Sequence, residues 1–346
     1  MKTNKRRMPA EWEPQSEVQL TWPHAHTDWA PILPEITAVY EEMAREISKR
    51  EGLLIVAPKE LTSHLSPLSP SPWERAGVRS HLLSLNTNDT WARDHGFITV
   101  EENGRLLLLD FCFNGWGEKF EATLDNQINR HLFEQGFVKG TYEDHLDFVL
   151  EGGSIESDGK GTIFTTECCL LAPHRNQPLT KQEIEERLKL WLGAERIVWL
   201  QHGSLIGDDT DGHIDTLVRI CPNDTLLYIG GDDDHPDLYE MEQELQTLRT
   251  LKGQPYRLLK LPLPRHIYET SPDLPQGEEK RLPATYANYL VINGAVLVPT
   301  YAQPDLDTEA LRIVGEAFPD REIVGIDCRA VIKQHGSLHC CTMQYY

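Results

Sequence analysis

No stretch of this sequence approaches the roughly 18 consecutive apolar residues of a membrane-spanning helix, so a chain that stays out of the bilayer is expected. Basic residues are scarce: 33 Lys and Arg stand against 54 Asp and Glu, for a net charge of −21. Nucleic-acid binders carry a basic face or stripe, so no nucleic-acid partner is expected. A small cationic ligand suits the balance better, because a cleft of one sign concentrates the other. The seven cysteines are odd in number, and neither Cys168-Cys169 nor Cys340-Cys341 has the C-x-x-C spacing of zinc and redox sites. Reduced thiols in a cytoplasm fit this usage better than a disulfide framework. The N-terminus is basic through Arg7, yet residues 8–14 are not the apolar core of an export signal. Cytoplasmic residence is the expectation, and homo-oligomer formation is left open.

Apolar residues recur at helical spacing over residues 36–49 (Ile36, Val39, Met43, Ile47), 180–192, 238–251 and 308–318, the second behind a Thr180-x-x-Glu183 capping signal. Short strand-like runs lie between them at 53–57, 106–111, 162–165, 197–200, 226–229, 290–292 and 295–298. Helices and strands alternate throughout, which makes the class α/β, and with no linker placed to divide the chain residues 1–346 are expected to form one domain. The Pro/Ser-rich start of residues 66–79 comes too early to divide the chain, and this segment reads as a surface-loop insertion. Gln201-His202-Gly203-Ser204-Leu205 recurs as Gln334-His335-Gly336-Ser337-Leu338, an offset of 334 − 201 = 133. Modules of half that offset fit about five times into the chain, as in a small propeller of repeated units.

Four segments hold residues able to do chemistry. In the segment 88–96, Asp94 can take two hydrogen bonds from a planar guanidinium, and Trp91 can lie against its face. Arg93 beside it has an ordinary reading as an ion-pair partner. Glu151 precedes Gly152-Gly153, a pair that lets backbone turn or approach closely. In Asp211-Gly212-His213-Ile214-Asp215, an extended chain would put His213 and Asp215 on one face. A calcium loop does not fit there, because Val218 falls where the bidentate Glu belongs. No H-E-x-x-H supports zinc. Near the C-terminus, Cys340 and Cys341 are candidate nucleophiles, and alternation in an extended chain lets only one face a site. His213 is a better base for such a thiol than its neighbour His339.

Together these residues resemble the agmatine deiminase and bacterial-type peptidylarginine deiminase family, within the guanidine-modifying pentein superfamily. Seven patterns carry the resemblance in order: residues 8–14, Trp91-x-Arg93-Asp94-x-Gly96, Glu151-Gly152-Gly153 through Asp158-Gly159, Asp211-Gly212-His213-x-Asp215, Asn293-Gly294 with Val298-Pro299, Phe318-Pro319-Asp320-Arg321, and His339-Cys340. The resemblance implies a five-bladed α/β propeller with its site in the central channel. It implies Cys340 as nucleophile, His213 as general acid/base, Glu151 as a further acid, and Asp94 and Asp215 as guanidinium clamps. Trp91 and Arg93 are expected to join them in binding substrate. Where the family has Pro, this chain has Phe97, and its approach to the thiol reads His335-Gly336-Ser337-Leu338-His339-Cys340.

The function expected is a cysteine-dependent deiminase, without metal or organic cofactor, that converts agmatine to N-carbamoylputrescine and ammonia on a route to putrescine. The alternatives are a free or peptidyl arginine deiminase giving citrulline, an amidinotransferase, a metal-dependent hydrolase built on His213, Asp215 and Asp211, and a ligand-binding propeller without catalysis.

Overall fold

The computed structural model describes residues 6–65, 80–269 and 279–346. The expected insertion at 66–79 lies outside the described residues.

One wiring recurs five times among them: an antiparallel strand pair, a helix, and a third strand returning parallel to the second. In the third module, Ile155–Ser157 pairs antiparallel with Thr162–Thr166, helix Lys181–Leu192 crosses over, and Arg196–Leu200 lies parallel. The fourth module uses Val218–Cys221, Thr225–Ile229, helix Pro236–Thr247 and Arg257–Leu261. The fifth uses Leu290–Ile292, Ala295–Thr300, helix Pro304–Ala317 and Glu322–Asp327. The second runs Ile98–Glu102, Arg105–Cys112, helix Ile128–Glu134 and Thr141–Val149, with Arg6–Arg7 on its edge. The first module is assembled from both ends of the chain. Thr342–Tyr345 pairs antiparallel with Glu17–Thr21, helix Leu33–Ser48 follows, and Gly52–Ala57 and Ser80–Ser84 continue in parallel. A two-stranded hairpin, Ile267–Glu269 with Lys280–Leu282, stands apart.

Local chemistry explains the elements. The middle strands Glu17–Thr21, Thr162–Thr166 and Thr225–Ile229 are buried along their whole length, as strands covered on both faces must be. Hairpins turn at Asn103-Gly104 and Asn223-Asp224, where both residues take the positive φ of a twist-matched two-residue turn. Thr180 and Glu183 form the capping box read from sequence, and the helix ends at left-handed Gly193. A Cβ on Gly193 would stand 2.2 Å from the Arg6 carbonyl oxygen, so this glycine also admits the N-terminal strand. Helix Leu33–Ser48 buries Ile36, Val39, Tyr40, Met43 and Ile47 as one stripe. Truncating one of its large apolar residues to Ala would cost about 2–5 kcal/mol.

The wiring leaves five connections that run from the third-strand side of one module to the first strand of the next. Both copies of the Gln-His-Gly-Ser-Leu repeat fall there, after Arg196–Leu200 and after Glu322–Asp327. The polar residues described next lie on the same connections. Among the described residues, no helix is long and apolar enough to cross a membrane.

Candidate active site

Each connection delivers one part of a buried cluster. The first carries Asp94, the second Glu151 and Gly153, the third His213 and Asp215, the fourth Asn288, and the fifth His339 and Cys340. Four of the five tighten into a single helical turn at the point of delivery: Ala92–His95, Gly152–Ser154, Ile214–Thr216 and His339–Cys341. The extended conformation expected around His213 and Cys340 is therefore corrected. His213 caps one turn and Cys340 sits inside another, and the turns aim neighbouring side chains separately.

Convergence can be read at one point. A Cβ built on Gly153 would lie 2.5 Å from His213 Nδ1, 3.0 Å from Asp94 Oδ1 and 3.2 Å from Asp215 Oδ2. Only glycine fits there, and its own N–H donates to Asp94 Oδ1 at 3.1 Å. His213 Nδ1 stands 3.6 Å from that oxygen. The Cys340 sulfur lies 3.9 Å from Asp215 Oδ2 and 3.4 Å from Asn288 Oδ1. Asn288 Oδ1 also accepts the backbone N–H of His339 at 2.9 Å and of Cys340 at 3.3 Å, which fixes the turn bearing the thiol. Cys341 turns away, its thiol 3.4 Å from the Ser337 carbonyl. His213, Asp215 and Glu151 are fully buried, yet both His213 ring nitrogens, Asp215 Oδ1 and Glu151 Oε2 have no hydrogen-bond partner within the protein.

A cavity of about 380 Å³ opens onto this cluster, with Trp91, Asp94, Trp116 and Cys340 in its wall. The Trp116 indole N–H donates to Asp94 Oδ2 at 3.0 Å. Trp116 holds a left-handed backbone (φ 57°, ψ 48°) between Gly115 and Gly117, an outlier of the kind that accumulates at functional sites. Trp91 packs over Gly336, where a Cβ would come within 2.1 Å of the ring. Gly336, in the approach to Cys340, thus gives the indole its seat.

Electrostatics sets the resting state. Burial, then Asp215 and Asp94, push the Cys340 thiol well above its usual range, so it is protonated. Burial lowers His213 to about 4 despite Asp215, leaving a neutral imidazole. Burial, then Asp215 and Glu151, raise Asp94 well above the carboxylate range. For Asp215 burial is opposed and outweighed by His339, whose Nδ1 lies 2.7 Å from Oδ2, and its pKa falls. Two neighbouring carboxyls are thereby driven apart.

Behind Cys340 lies a second ionic layer. Arg219 gives Nε to Glu156 at 2.5 Å, Nη2 to Glu11 at 2.6 Å and Nη1 to the carbonyls of Ala287 and Tyr289, and its guanidinium stands 4.4 Å from the Tyr289 ring centroid. His339 bridges the layers, with Nε2 2.9 Å from Glu11. Arg93 belongs to this rear side: its Nε points to the His339 carbonyl at 3.5 Å and Nη1 to the Met343 sulfur at 3.6 Å. Arg93, expected from the sequence to bind substrate, is not among the residues that line the cavity. A fixed cation in the cavity would compete with a cationic ligand, and the fold keeps it behind.

Asn288, Trp116, Arg175, Glu11 and Arg219 were not found from sequence. Asn288 had a signal, since a polar residue shortly precedes the first strand of every module. Arg175 fixes Glu151 Oε1 at 2.8 Å and Asp211 at 2.9 Å, while Lys119 takes the other Asp211 oxygen at 2.8 Å. Asp211 thus faces two cations, and the His213, Asp215 and Asp211 metal set is not assembled. Among the described residues, donors gather closely enough for a metal at Glu151, Cys169 and His213, at Glu11, Glu156 and His339, and at His202, Asp237 and Glu240. Arg219 already supplies the cation of the second group.

Fold and site together are those of hydrolases that open the C–N bonds of amidines. Within that class, the chain belongs to the Porphyromonas-type peptidyl-arginine deiminase family, which it matches over residues 7–345. It is 33% identical to the agmatine deiminase of Pseudomonas aeruginosa, with 98% of this chain and 95% of that one covered. A solved structure of Campylobacter jejuni agmatine deiminase with substrate bound superposes with a TM-score of 0.88 at 36% identity, covering 100% and 98% of the chains. A Porphyromonas gingivalis protein provisionally called an arginine deiminase is 48% identical with a TM-score of 0.89, covering 99% and 98%. Dimethylarginine dimethylaminohydrolase, at 13% identity and a TM-score of 0.52 over 96% of this chain and 100% of that one, shares the fold alone.

Proposed function

We propose that the five modules stand as blades of one domain around the buried cluster, and that this chain is a cytoplasmic, cysteine-dependent agmatine deiminase. The observation that carries the reading is the meeting of the Cys340 sulfur, the His213 imidazole and the Asp94 and Asp215 carboxylates at one buried point. Asp94 and Asp215 would hold the guanidinium and aim its central carbon at the sulfur. Trp91 and Trp116 would confine it. The guanidinium supplies the positive charge that the resting site lacks, so the thiol becomes easier to ionise once substrate is bound.

Neutral His213 takes the thiol proton as sulfur attacks, and the new C–S bond gives a tetrahedral adduct. The imidazolium then returns that proton to the departing nitrogen, ammonia leaves, and a thiouronium remains on Cys340. Water attacks it with His213 as base; collapse releases the ureido product, N-carbamoylputrescine, restores the thiol and leaves one proton, which His213 passes to solvent where the released ammonia takes it up. Glu151, held by Arg175, would orient the imidazole.

A second reading has support in the cavity wall, which includes Lys280 and Lys333 with Asp28, Asp89 and Asp209. Such lysines suit the carboxylate of free or C-terminal arginine. Ammonia release from agmatine, arginine and an arginine-terminated peptide decides between them. Agmatine should give the highest kcat/KM, and a preference for arginine that Lys280→Met abolishes would move the assignment.

A further inference from the structure

We infer that Cys169, His213 and Glu151 form a binding site for a thiophilic divalent cation such as Zn2+, and that its occupation switches the enzyme off. The donor atoms of the three residues all lie within 4.8 Å of one another. Sulfur, imidazole nitrogen and carboxylate oxygen are the ligand types zinc prefers, at about 2.3, 2.0 and 2.0–2.2 Å. Ligands at those lengths on a tetrahedron stand roughly 3.3–3.7 Å apart, so side-chain shifts of about an ångström close the site.

A second observation points to a ligand. Glu151 and His213 are fully buried, and Glu151 Oε2 and both His213 ring nitrogens are unpartnered within the protein. Buried polar atoms are ordinarily satisfied, and these have lone pairs to give. Cys169 is also fully buried; it sits on the helical turn Glu167–Leu170 that follows strand Thr162–Thr166. Arg175 occupies only Glu151 Oε1 and so orients the other oxygen, the part a supporting partner plays around a metal ligand. Asp94 and Asp215 offset its charge. The two other donor groups lack these features: Arg219 fills one, and the His202, Asp237 and Glu240 group is partly exposed.

On binding, Cys169 coordinates as thiolate and releases its proton to solvent. The His213 nitrogen then holds the metal and can no longer carry a proton between sulfur and substrate. This inhibitory effect rests on the acid/base role proposed for His213, whereas the metal site itself does not.

Co2+ added to chelator-treated full-length protein tests the site directly, because a thiolate ligand gives a near-ultraviolet charge-transfer band. The band should persist in Cys340→Ala and disappear in Cys169→Ala and in the isosteric Cys169→Ser. In parallel, Zn2+ should inhibit ammonia release, with reversal by chelator. Its half-inhibitory concentration should rise at least about tenfold in Cys169→Ser, while activity without metal stays within a few-fold of the unaltered enzyme. A band lost in Cys340→Ala and kept in Cys169→Ser would place the metal on the nucleophile and overturn the proposal, as would no band in any variant. A correct band in a protein without deiminase activity would instead count against the functional reading alone.

Discussion

Among the described residues, one pair of carboxylates lies behind Cys340 and another before it. Behind, Glu11 and Glu156 enclose the guanidinium of Arg219, which also meets two carbonyls and lies against the Tyr289 ring. In front, Asp94 and Asp215 stand with the Trp91 and Trp116 indoles and the Cys340 sulfur. The ingredients are the same: carboxylates for the planar N–H fork and an aromatic face for the delocalised charge. The rear cluster is a permanent ion pair, and the front one keeps Asp215 Oδ1 uncommitted and a thiol beside it. His339 joins them, so the charge balance of the rear holds Asp215 ionised in front.

Substitutions can break or sharpen this comparison. The largest effect should come from Asp215→Asn, which removes the ionised clamp: kcat/KM should fall about 10³–10⁴-fold, roughly 4–5.5 kcal/mol, in a protein whose circular dichroism is unchanged. Near-normal turnover in that variant would show that the front pair does not hold a guanidinium. Next, Arg219→Met should cost about 3–5 kcal/mol of stability in urea unfolding, because it leaves Glu11 and Glu156 buried and uncompensated. Equal stability would mean that the rear pair is not held by its arginine.

Gly153→Ala should cost less, about 1–3 kcal/mol of overpacking, and should show chiefly in kcat, since the added carbon meets His213 and both aspartates. A shift in thermal stability with kcat intact would separate the backbone from the site. The smallest effect belongs to Trp116→Phe, about a tenfold loss in kcat/KM through one hydrogen bond to a carboxylate. It also has a pH signature. Clamping needs ionised Asp94, so kcat/KM is full above the raised Asp94 pKa and falls as pH drops through it. The indole N–H lowers that pKa, so its removal raises it further and the acid limb of the profile moves to higher pH. An acid limb that stays put would take Asp94 out of the rate-controlling titration.

Much of the framework was legible before any coordinates. Helices with an apolar stripe, such as Leu33–Ser48, and the capped Lys181–Leu192 follow from local periodicity and end chemistry. Strand Thr141–Val149 was missed because it is polar and largely exposed, and Thr342–Tyr345 because a short run gains its meaning from a partner far away in sequence. In the site, residues carried by recognisable local patterns were named, while Asn288 and Arg219 were not. Asn288 acts through contacts with residues 339 and 340, and Arg219 looks in sequence like any strand arginine. The single turns that deliver His213 and Cys340 depend on contacts from other modules, such as those of Asn288, so an extended chain misjudged the backbone there although His213 and Asp215 do meet.

The pairing of Thr342 with Leu20 gives the thiol its address. Because all five connections contribute to the cluster, no single fragment of the chain holds all of it, and the sulfur is placed only when the first module is closed from both ends of the chain. Ammonia release is therefore expected to appear only after the first and last strands have paired, which would make it a clock for that closure.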